Sequence, residues 1–323
     1  MKRITLRWLF INLLGVILIF VEIGTPDLAS ASSLSPQTSS PASSLVADPK
    51  PASTPVNTTV TVLAAGDIAN CLTTGDAATA TILGKYPSAT ILALGDNAYP
   101  IGSLLNFQQC YNPTWGQYKN RTYPSLGNHE YLTSGASGYF TYFNGFRGPS
   151  GNGYYSFNLG AWHIIALNSN CTVTGGCQSG SPQETWLKAD LAVHPSTCTL
   201  AFWHHPLFTS GQEGDTTSVR PLWQDLYNAG VELILNGHDH DYERFLPQTP
   251  TGVSDPTKGI IEIVAGTGGA SHTKPGTKQK NSVVFNNATF GVLMLTLAPT
   301  SFSWKFLPVS GGTFTDSGSA KCH

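Results

Sequence analysis

The sequence predicts an α/β fold in which mixed β-sheets are covered by helices. Three observations carry this reading. Short apolar, β-branched runs alternate with helical stretches from residue 60 onward, and the same alternation returns after residue 181. The tail from Ile260 onward is rich in strand-like runs. Asp, Asn and His fall repeatedly just past the C-terminal end of an apolar run, the edge at which open α/β sheets bind ligands.

Taken in chain order, residues 1–31 precede the fold. Lys2, Arg3 and Arg7 lead into an apolar run from Trp8 to Val21, and Ala29-Ser30-Ala31 offers a small-x-small cleavage signal. Basic, then apolar, then small is the layout of a secretory signal peptide. The run is short of the about 20 apolar residues that a membrane span needs. An uncleaved N-terminal anchor is the rival reading, and both put the rest of the chain outside the cytoplasm. Residues 32–58 are dominated by Ser, Pro, Ala and Thr, with Asp48 and Lys50 as their only charges. So little apolar surface cannot offset chain entropy, which predicts a disordered linker. Residues 59–323 are long enough for a sizeable core, and no second Pro/Ser-rich break divides them.

Within that region Val60–Ala65 reads as a buried strand ending at Gly66-Asp67, Asp76–Tyr86 as a helix, and Ala89–Leu94 as a second strand ending at Gly95-Asp96. Tyr123–Leu126 is a shorter strand leading to Gly127-Asn128-His129-Glu130. Tyr154–Asn168 has the pattern of a hairpin turning at Leu159-Gly160. Pro182–His194 is helical, with Ser181 as N-cap and proline in the first position. Thr199–Trp203 and Val231–Leu235 are strands separated by a helix over Ser218–Ala229. They end at His204-His205-Pro206 and at Gly237-His238-Asp239-His240. Ile260–Ala265, and the pair Val292–Leu297 and Phe302–Phe306, supply late antiparallel strands.

The whole chain carries 17 basic and 19 acidic side chains; without residues 1–31 it carries 14 and 17, a formal charge of −3. Nucleic-acid binding needs clustered positive charge, so that partner is excluded. All six cysteines, Cys71, Cys110, Cys171, Cys177, Cys198 and Cys322, lie beyond the leader. An even number in an oxidising compartment predicts disulfides. Cys171 and Cys177, flanking a short Gly-containing loop, are the expected local pair; the other pairings stay open.

Five strand ends deliver Asp67; Asp96 with Tyr99; Asn128 with His129; His204 with His205; and His238 with His240. Each fragment alone is ordinary turn chemistry. Together they place carboxylates, imidazoles and an amide oxygen on one edge, a donor set suited to iron, zinc or manganese. Two such ions a few ångströms apart need a shared anionic bridge, which an aspartate can provide.

Gly66-Asp67, Gly95-Asp96-x-x-Tyr99, Gly127-Asn128-His129-Glu130, Ala201-x-x-His204 and Gly237-His238-x-His240 resemble, in this order, the motifs of purple acid phosphatases, a branch of the calcineurin-like metallophosphoesterases. His238-Asp239-His240-Asp241-Tyr242-Glu243-Arg244 is close to that family's His-x-His-x-Tyr-Glu-Arg. The resemblance runs from Gly66 to about Arg244, and the turn at Gly266-Thr267-Gly268-Gly269 resembles the family's later region. It implies a four-layer αββα sandwich over residues 59–323 and two metal ions. Asp67, Tyr99 and His240 would hold the first ion; Asn128, His204 and His238 the second; Asp96 would bridge them. His129 would act on the substrate, and His205 is a second substrate-side candidate. Most of the wider superfamily begins with Asp-x-His, but here the residue two past Asp67 is Ala69, and Tyr99 replaces the lost ligand. A phenolate donor implies Fe(III) at the Tyr99 site, with a divalent ion (Fe, Zn or Mn) at the other. Ala69 also replaces the glycine of the family's Gly-Asp-x-Gly. The linker stands where plant members carry a separate N-terminal β domain, so the resemblance is to compact forms.

The function implied is a secreted phosphatase that hydrolyses small phosphate monoesters by attack of a metal-bound hydroxide, its mature domain not inserted in a membrane. Two alternatives remain on the same residues: a phosphodiesterase or nucleotide hydrolase, and a non-catalytic cell-envelope binding module. Glu130 is expected either to orient His129 or to serve as a surface or capping residue.

Overall fold

The computed structural model describes residues 58–146, 148 and 151–323. The expected signal peptide, and the linker up to residue 57, lie outside the described residues. Strand β1 (Val60–Ala65) shows why the chain builds two cores. Val62 and Ala64 point to one face and Leu63 and Ala65 to the other, and all four are buried. The next strand, β2 (Thr90–Leu94), repeats the division: Leu92 and Leu94 join the inner core, Ile91 and Ala93 the outer one. A strand apolar on both faces must be covered on both, and α1 (Gly75–Gly84) and the later helices do so.

After β3 (Thr122–Ser125), with α2 (Leu104–Asn106) before it and α3 (Ser137–Tyr142) beyond it, the chain enters a second sheet. This begins with the hairpin β4 (Tyr155–Leu159) and β5 (Trp162–Ala166). It continues through α4 (Pro182–Val193), β6 (Cys198–Phe202), α5 (Arg220–Asn228), β7 (Leu233–Asn236), β8 (Tyr242–Phe245), β9 (Ile261–Ala265) and β10 (Ser282–Asn286). Ser181 caps α4 as expected, its hydroxyl accepting the Glu184 N–H at 3.3 Å, with Pro182 in the first turn. Strands β11 (Gly291–Ala298), β12 (Ser301–Pro308) and β13 (Ser317–Lys321) return to the first sheet. β11 pairs antiparallel with both β12 and β1.

Among the described residues the strand orders are β13-β12-β11-β1-β2-β3 and β10-β8-β9-β7-β6-β5-β4. β1, β2 and β3 run parallel in the first sheet; β5, β6, β7 and β9 run parallel in the second. The inner faces of both sheets share one core that includes Trp162, Phe202, Phe302 and Phe306. Each such side chain, taken fully out of water, contributes about 1.5–3 kcal/mol. Trp162 also donates its indole N–H to the Ala298 carbonyl at 2.7 Å, linking β5 to β11. The outer face of the second sheet packs on α4 and α5 around Leu187, Leu222, Trp223 and Leu226. The layers are therefore α, β, β, α, as the resemblance implied.

Three disulfides join Cys71 to Cys110, Cys171 to Cys177 and Cys198 to Cys322. The second is the expected local pair. The third fixes the C-terminal segment to β6. That segment is also held by Asp316, whose carboxylate accepts from Tyr242 Oη at 2.8 Å, Arg244 Nε at 2.7 Å and Trp304 Nε1 at 3.0 Å. The Tyr-Glu-Arg portion of the His-x-His fragment thus anchors the end of the chain: Tyr242 and Arg244 meet Asp316, and Glu243 accepts the Ser210 N–H at 2.6 Å. Among the described residues no helix is long and apolar enough to cross a membrane.

Candidate metal centre

Parallel strands release their C-terminal ends on one side, and the loops after β1, β2, β3, β6 and β7 meet there. Asp67, Asp96 and His238 turn out of their strands at positive φ (58°, 44° and 74°). That backbone region is costly for side-chain-bearing residues and is found where surrounding contacts enforce it. The glycines beside these ligands allow close approach. A Cβ on Gly127 would lie 2.0 Å from Asp96 Oδ1, and one on Gly237 would lie 2.6 Å from Asp67 Oδ2. Ala69 is buried and fits: its carbonyl accepts the Tyr99 N–H at 2.8 Å, and it pairs with Ala98 in a parallel bridge that carries the sheet beyond β1 and β2.

All seven expected ligands converge. Tyr99 Oη lies 2.9 Å from Asp67 Oδ1, 3.0 Å from Asp96 Oδ2 and 3.0 Å from His240 Nε2. His240 Nε2 is 3.2 Å from Asp67 Oδ1. On the other side His204 Nε2 lies 3.1 Å from Asn128 Oδ1, 3.3 Å from Asp96 Oδ2 and 3.3 Å from His238 Nδ1. One oxygen, Asp96 Oδ2, therefore belongs to both groups.

This arrangement fits cations better than it fits hydrogen bonds. The phenol has one hydrogen and faces two carboxylate oxygens and a ring nitrogen. His204 Nδ1 sits 2.9 Å from the Leu94 carbonyl, to which it donates. That leaves Nε2, with at most one hydrogen, facing an amide oxygen, a carboxylate oxygen and His238 Nδ1. Buried lone pairs without donors are costly, and a metal ion satisfies them together.

The electrostatics agree. Burial lowers the basicity of His204, but Asp96 and Asp67 override it and raise the imidazolium to about 10. Burial opposes ionisation of Asp96, yet His204 and His129 outweigh it and hold the carboxyl below its usual range. Burial, then Asp67 and Asp96, push the Tyr99 phenol well above its ordinary value. A phenolate there requires a nearby cation to reverse the sign. His238 falls to about 4, chiefly through burial and then through His204, so it offers a neutral ring nitrogen.

The remaining side chains set orientation. His129 Nδ1 contacts the Pro100 carbonyl, its ring lies 4.5 Å from that of Tyr99, and its Nε2 is 3.8 Å from Asp96 Oδ2. His205 is placed beside His238, ring centroids 4.4 Å apart, with its Nδ1 2.7 Å from Ser169 Oγ. Glu130 is fully buried, which removes the surface alternative. Its carboxylate accepts the N–H groups of Gly127 at 2.7 Å, Asn97 at 2.8 Å, Asp96 at 3.1 Å and Ala98 at 3.4 Å. It holds the Asp96 loop against the Asn128 loop through backbone N–H groups, and the His129 ring is set instead by the Pro100 carbonyl. Sequence reasoning did not find Ser271 and Thr273, whose hydroxyls meet His240 Nδ1 at 2.7 Å and the His240 N–H at 3.1 Å. Nor did it find Ser169. Lone hydroxyls in loops carry no spacing signal.

Two stacked mixed sheets with this donor-rich edge define a metallophosphoesterase. The profile of the calcineurin-like phosphoesterase family matches residues 60–242, more than half of the chain, and the chain belongs to that family. Among curated proteins it is 28% identical over 239 residues to an uncharacterized protein of Mycobacterium tuberculosis, covering 58% of this chain and 44% of that one. It is 33% identical over 159 residues to purple acid phosphatase 18 of Arabidopsis thaliana, covering 45% and 34%. The chain thus spans less than half the length of these relatives. A purple acid phosphatase from yellow lupin seeds superposes with a TM-score of 0.67 at 18% identity, covering 81% of this chain and 54% of that one. The Plasmodium protein GAP50, an inner-membrane-complex anchor, gives 0.61 at 16% identity, covering 80% and 88%. At these identities the structural likeness is one of fold.

Proposed function

We propose that this chain is a secreted dimetal phosphatase that hydrolyses phosphate monoesters. The observation that supports it most is the pair of ligand-atom clusters, one around Tyr99 Oη and one around His204 Nε2, joined through Asp96 Oδ2. Asp67, Tyr99 and His240 would hold Fe(III), and Asn128, His204 and His238 a divalent ion, with Asp96 between them. Ions held here would supply Lewis acidity toward the phosphoryl oxygens and lower the pKa of water enough to provide a hydroxide nucleophile. The protein's own part is positional. Glu130 fixes the two loops that carry Asp96 and Asn128. Ser271 and Leu94 set the rings of His240 and His204, so that one nitrogen of each faces inward. With Nδ1 engaged by Pro100, His129 presents Nε2 and would donate its proton to the oxygen leaving phosphorus as the P–O bond breaks. His205, beside His238, would contact the phosphoryl group. Secretion is supported by the three disulfides, which form in oxidising compartments.

Metal analysis with a visible absorption spectrum tests the reading, together with assays on monoesters, diesters and nucleotides. Iron with a charge-transfer band, and turnover of monoesters above diesters, is the expected outcome. Colourless zinc-only protein that prefers diesters or nucleotides would move the assignment to a phosphodiesterase. Metal-loaded protein with no hydrolysis at all would favour a binding module.

A further inference from the structure

A sixth strand end reaches the metal edge without carrying an expected ligand. β5 runs parallel to β6, and β6 to β7, so all three open on the same side. Leu167 extends the ladder, its N–H donating to the Phe202 carbonyl at 2.9 Å, and Asn168-Ser169-Asn170 follow. This tripeptide is clamped on both flanks. The buried Gln183 side chain accepts the Asn168 N–H at 2.7 Å and donates to the Asn168 carbonyl at 2.9 Å. Asn170 Nδ2 reaches the Gly127 carbonyl at 3.3 Å, and Cys171 is closed onto Cys177. Ser169 lies between them, buried, and among the described residues its hydroxyl meets only His205. It accepts the His205 backbone N–H at 3.0 Å and stands 2.7 Å from Nδ1 of the ring.

Those two contacts place a hydrogen. A serine hydroxyl has one hydrogen and two lone pairs. The backbone N–H takes a lone pair, and the hydrogen finds no acceptor but Nδ1. A buried donor left unpaired is costly, so the hydroxyl donates to Nδ1 and the neutral ring carries its hydrogen on Nε2. The adjacent His204 has the opposite arrangement: its Nδ1 donates to the Leu94 carbonyl at 2.9 Å, which leaves the lone pair on Nε2. Ser271, on Nδ1 of His240, differs from Ser169 because it is exposed, so water takes its hydrogen and the oxygen accepts from the ring.

We infer that Ser169 is a positioning residue that withholds His205 from the second ion and makes its Nε2–H a hydrogen-bond donor to the phosphoryl oxygens. This rests on the phosphatase reading and deepens it. By place His205 qualifies as a further imidazole ligand. One of its ring nitrogens lies within 4.8 Å of a ring nitrogen of both His204 and His238, and its ring centroid is 4.4 Å from that of His238. A nitrogen that carries hydrogen has no lone pair for a cation, and the other has given its lone pair to Ser169. The His204-His205 pair thus divides into one ligand and one donor, and the partner on each Nδ1, a carbonyl or a hydroxyl, makes the division.

The first measurement needs no turnover. In protein loaded with zinc, which is diamagnetic, nitrogen NMR of labelled histidines reads the tautomer, with His205 assigned by its loss in His205→Ala. Hydrogen on Nε2 is the expected result, and a bare Nε2 overturns the inference, whether or not any variant folds. The second measurement is binding of inorganic phosphate to the metal-loaded protein. Ser169→Ala should weaken it roughly tenfold, the scale of one hydrogen bond to a charged group, with both ions retained and KM rising more than kcat falls. In a His205→Ala background the same substitution should cost nothing further. Unchanged phosphate affinity in Ser169→Ala, loss of the ions, or an equal weakening in the His205→Ala background overturns the inference and leaves the phosphatase reading standing. No hydrolysis of any phosphate ester by the parent protein overturns that reading, while the tautomer and phosphate binding still decide this one.

Discussion

At the C-terminal ends of β1, β2, β3, β6 and β7, imidazoles and carboxylates face one another across a shared space. At the starts of β5 and β7, His163, Asp190 and His194, and separately Glu232 and His323, form small hydrogen-bonded groups of their own. His163 Nε2 lies 2.8 Å from Asp190 Oδ2 and its Nδ1 2.9 Å from Asn158 Oδ1. Ser156 Oγ donates to Asp190 Oδ1 at 2.7 Å, and His194 Nδ1 lies 3.1 Å from that oxygen. The residue types at the two ends are the same. What differs is the sharing of one oxygen: Asp96 Oδ2 belongs to two clusters of ligand atoms, whereas Asp190 stands in one. That sharing, and not the presence of histidine and aspartate, marks the candidate metal centre.

The largest effect expected from breaking this contrast is at Asp96. Asp96→Asn keeps the shape of the bridge and removes its charge, so both ions should leave together. Turnover should then drop by about 10³-fold or more, the scale of several kcal/mol of lost transition-state stabilisation. Metal analysis decides: full occupancy of both sites in the variant would refute the bridging role. His129→Ala is the companion case, with kcat down roughly 10²–10⁴-fold and metals retained. Loss of the metals in that variant would instead make His129 a structural residue.

At the other end the expected effect is on stability. Asp190→Ala leaves the buried His163 facing no carboxylate and strips partners from Ser156 and His194. Breaking a buried pair by removing one member costs about 3–5 kcal/mol. Denaturant unfolding should show that loss, while metal content and turnover per folded molecule stay as in the parent protein. Depleted metals in folded Asp190→Ala protein would show that the two ends are coupled, and the contrast would fail.

Much of this was legible before any coordinates. β1 begins and ends where the apolar run does, the 154–168 hairpin turns where Leu159-Gly160 marks it, and Ser181 caps its helix. Strong alternation and cap chemistry are local signals, and local signals survive folding. Apart from the strand at Tyr123–Leu126, the stretch between Ile101 and Phe143 was not read, because the rest of it is built of helical pieces three to seven residues long, too short to show a period. β13 was missed for a related reason: Ser317-Gly318-Ser319-Ala320-Lys321 has no apolar alternation and pairs only because Asp316 and Cys322 bring it to β12. The convergence of the seven expected ligands was visible only as an ordered set of motifs. The supporting hydroxyls of Ser169, Ser271 and Thr273 were invisible, since their importance comes wholly from distant neighbours.

The subtlest expected effect sharpens the same contrast through pH. Glu232 is buried at the start of β7, where it accepts the Thr199 N–H at 2.6 Å and the His323 N–H at 3.4 Å. Burial pushes its carboxyl up to about 7, the two N–H groups only partly opposing it. Because the folded value lies above the unfolded one, the folded state holds this proton more tightly. The contribution to stability is therefore complete below the unfolded value and is lost as pH rises toward 7. With the reference carboxyl near 4.5, the loss between about pH 4.5 and 7 approaches roughly 3 kcal/mol. Glu232→Gln cannot titrate, so its melting temperature relative to the parent should rise from pH 5 to pH 8, at about 2–4 °C per kcal/mol for a domain of this size. A parent-minus-variant difference that stays flat across that window would mean that Glu232 ionises in the folded protein as it does in water. The hydrogen bonds from Thr199 and His323 would then outweigh the burial of the carboxylate.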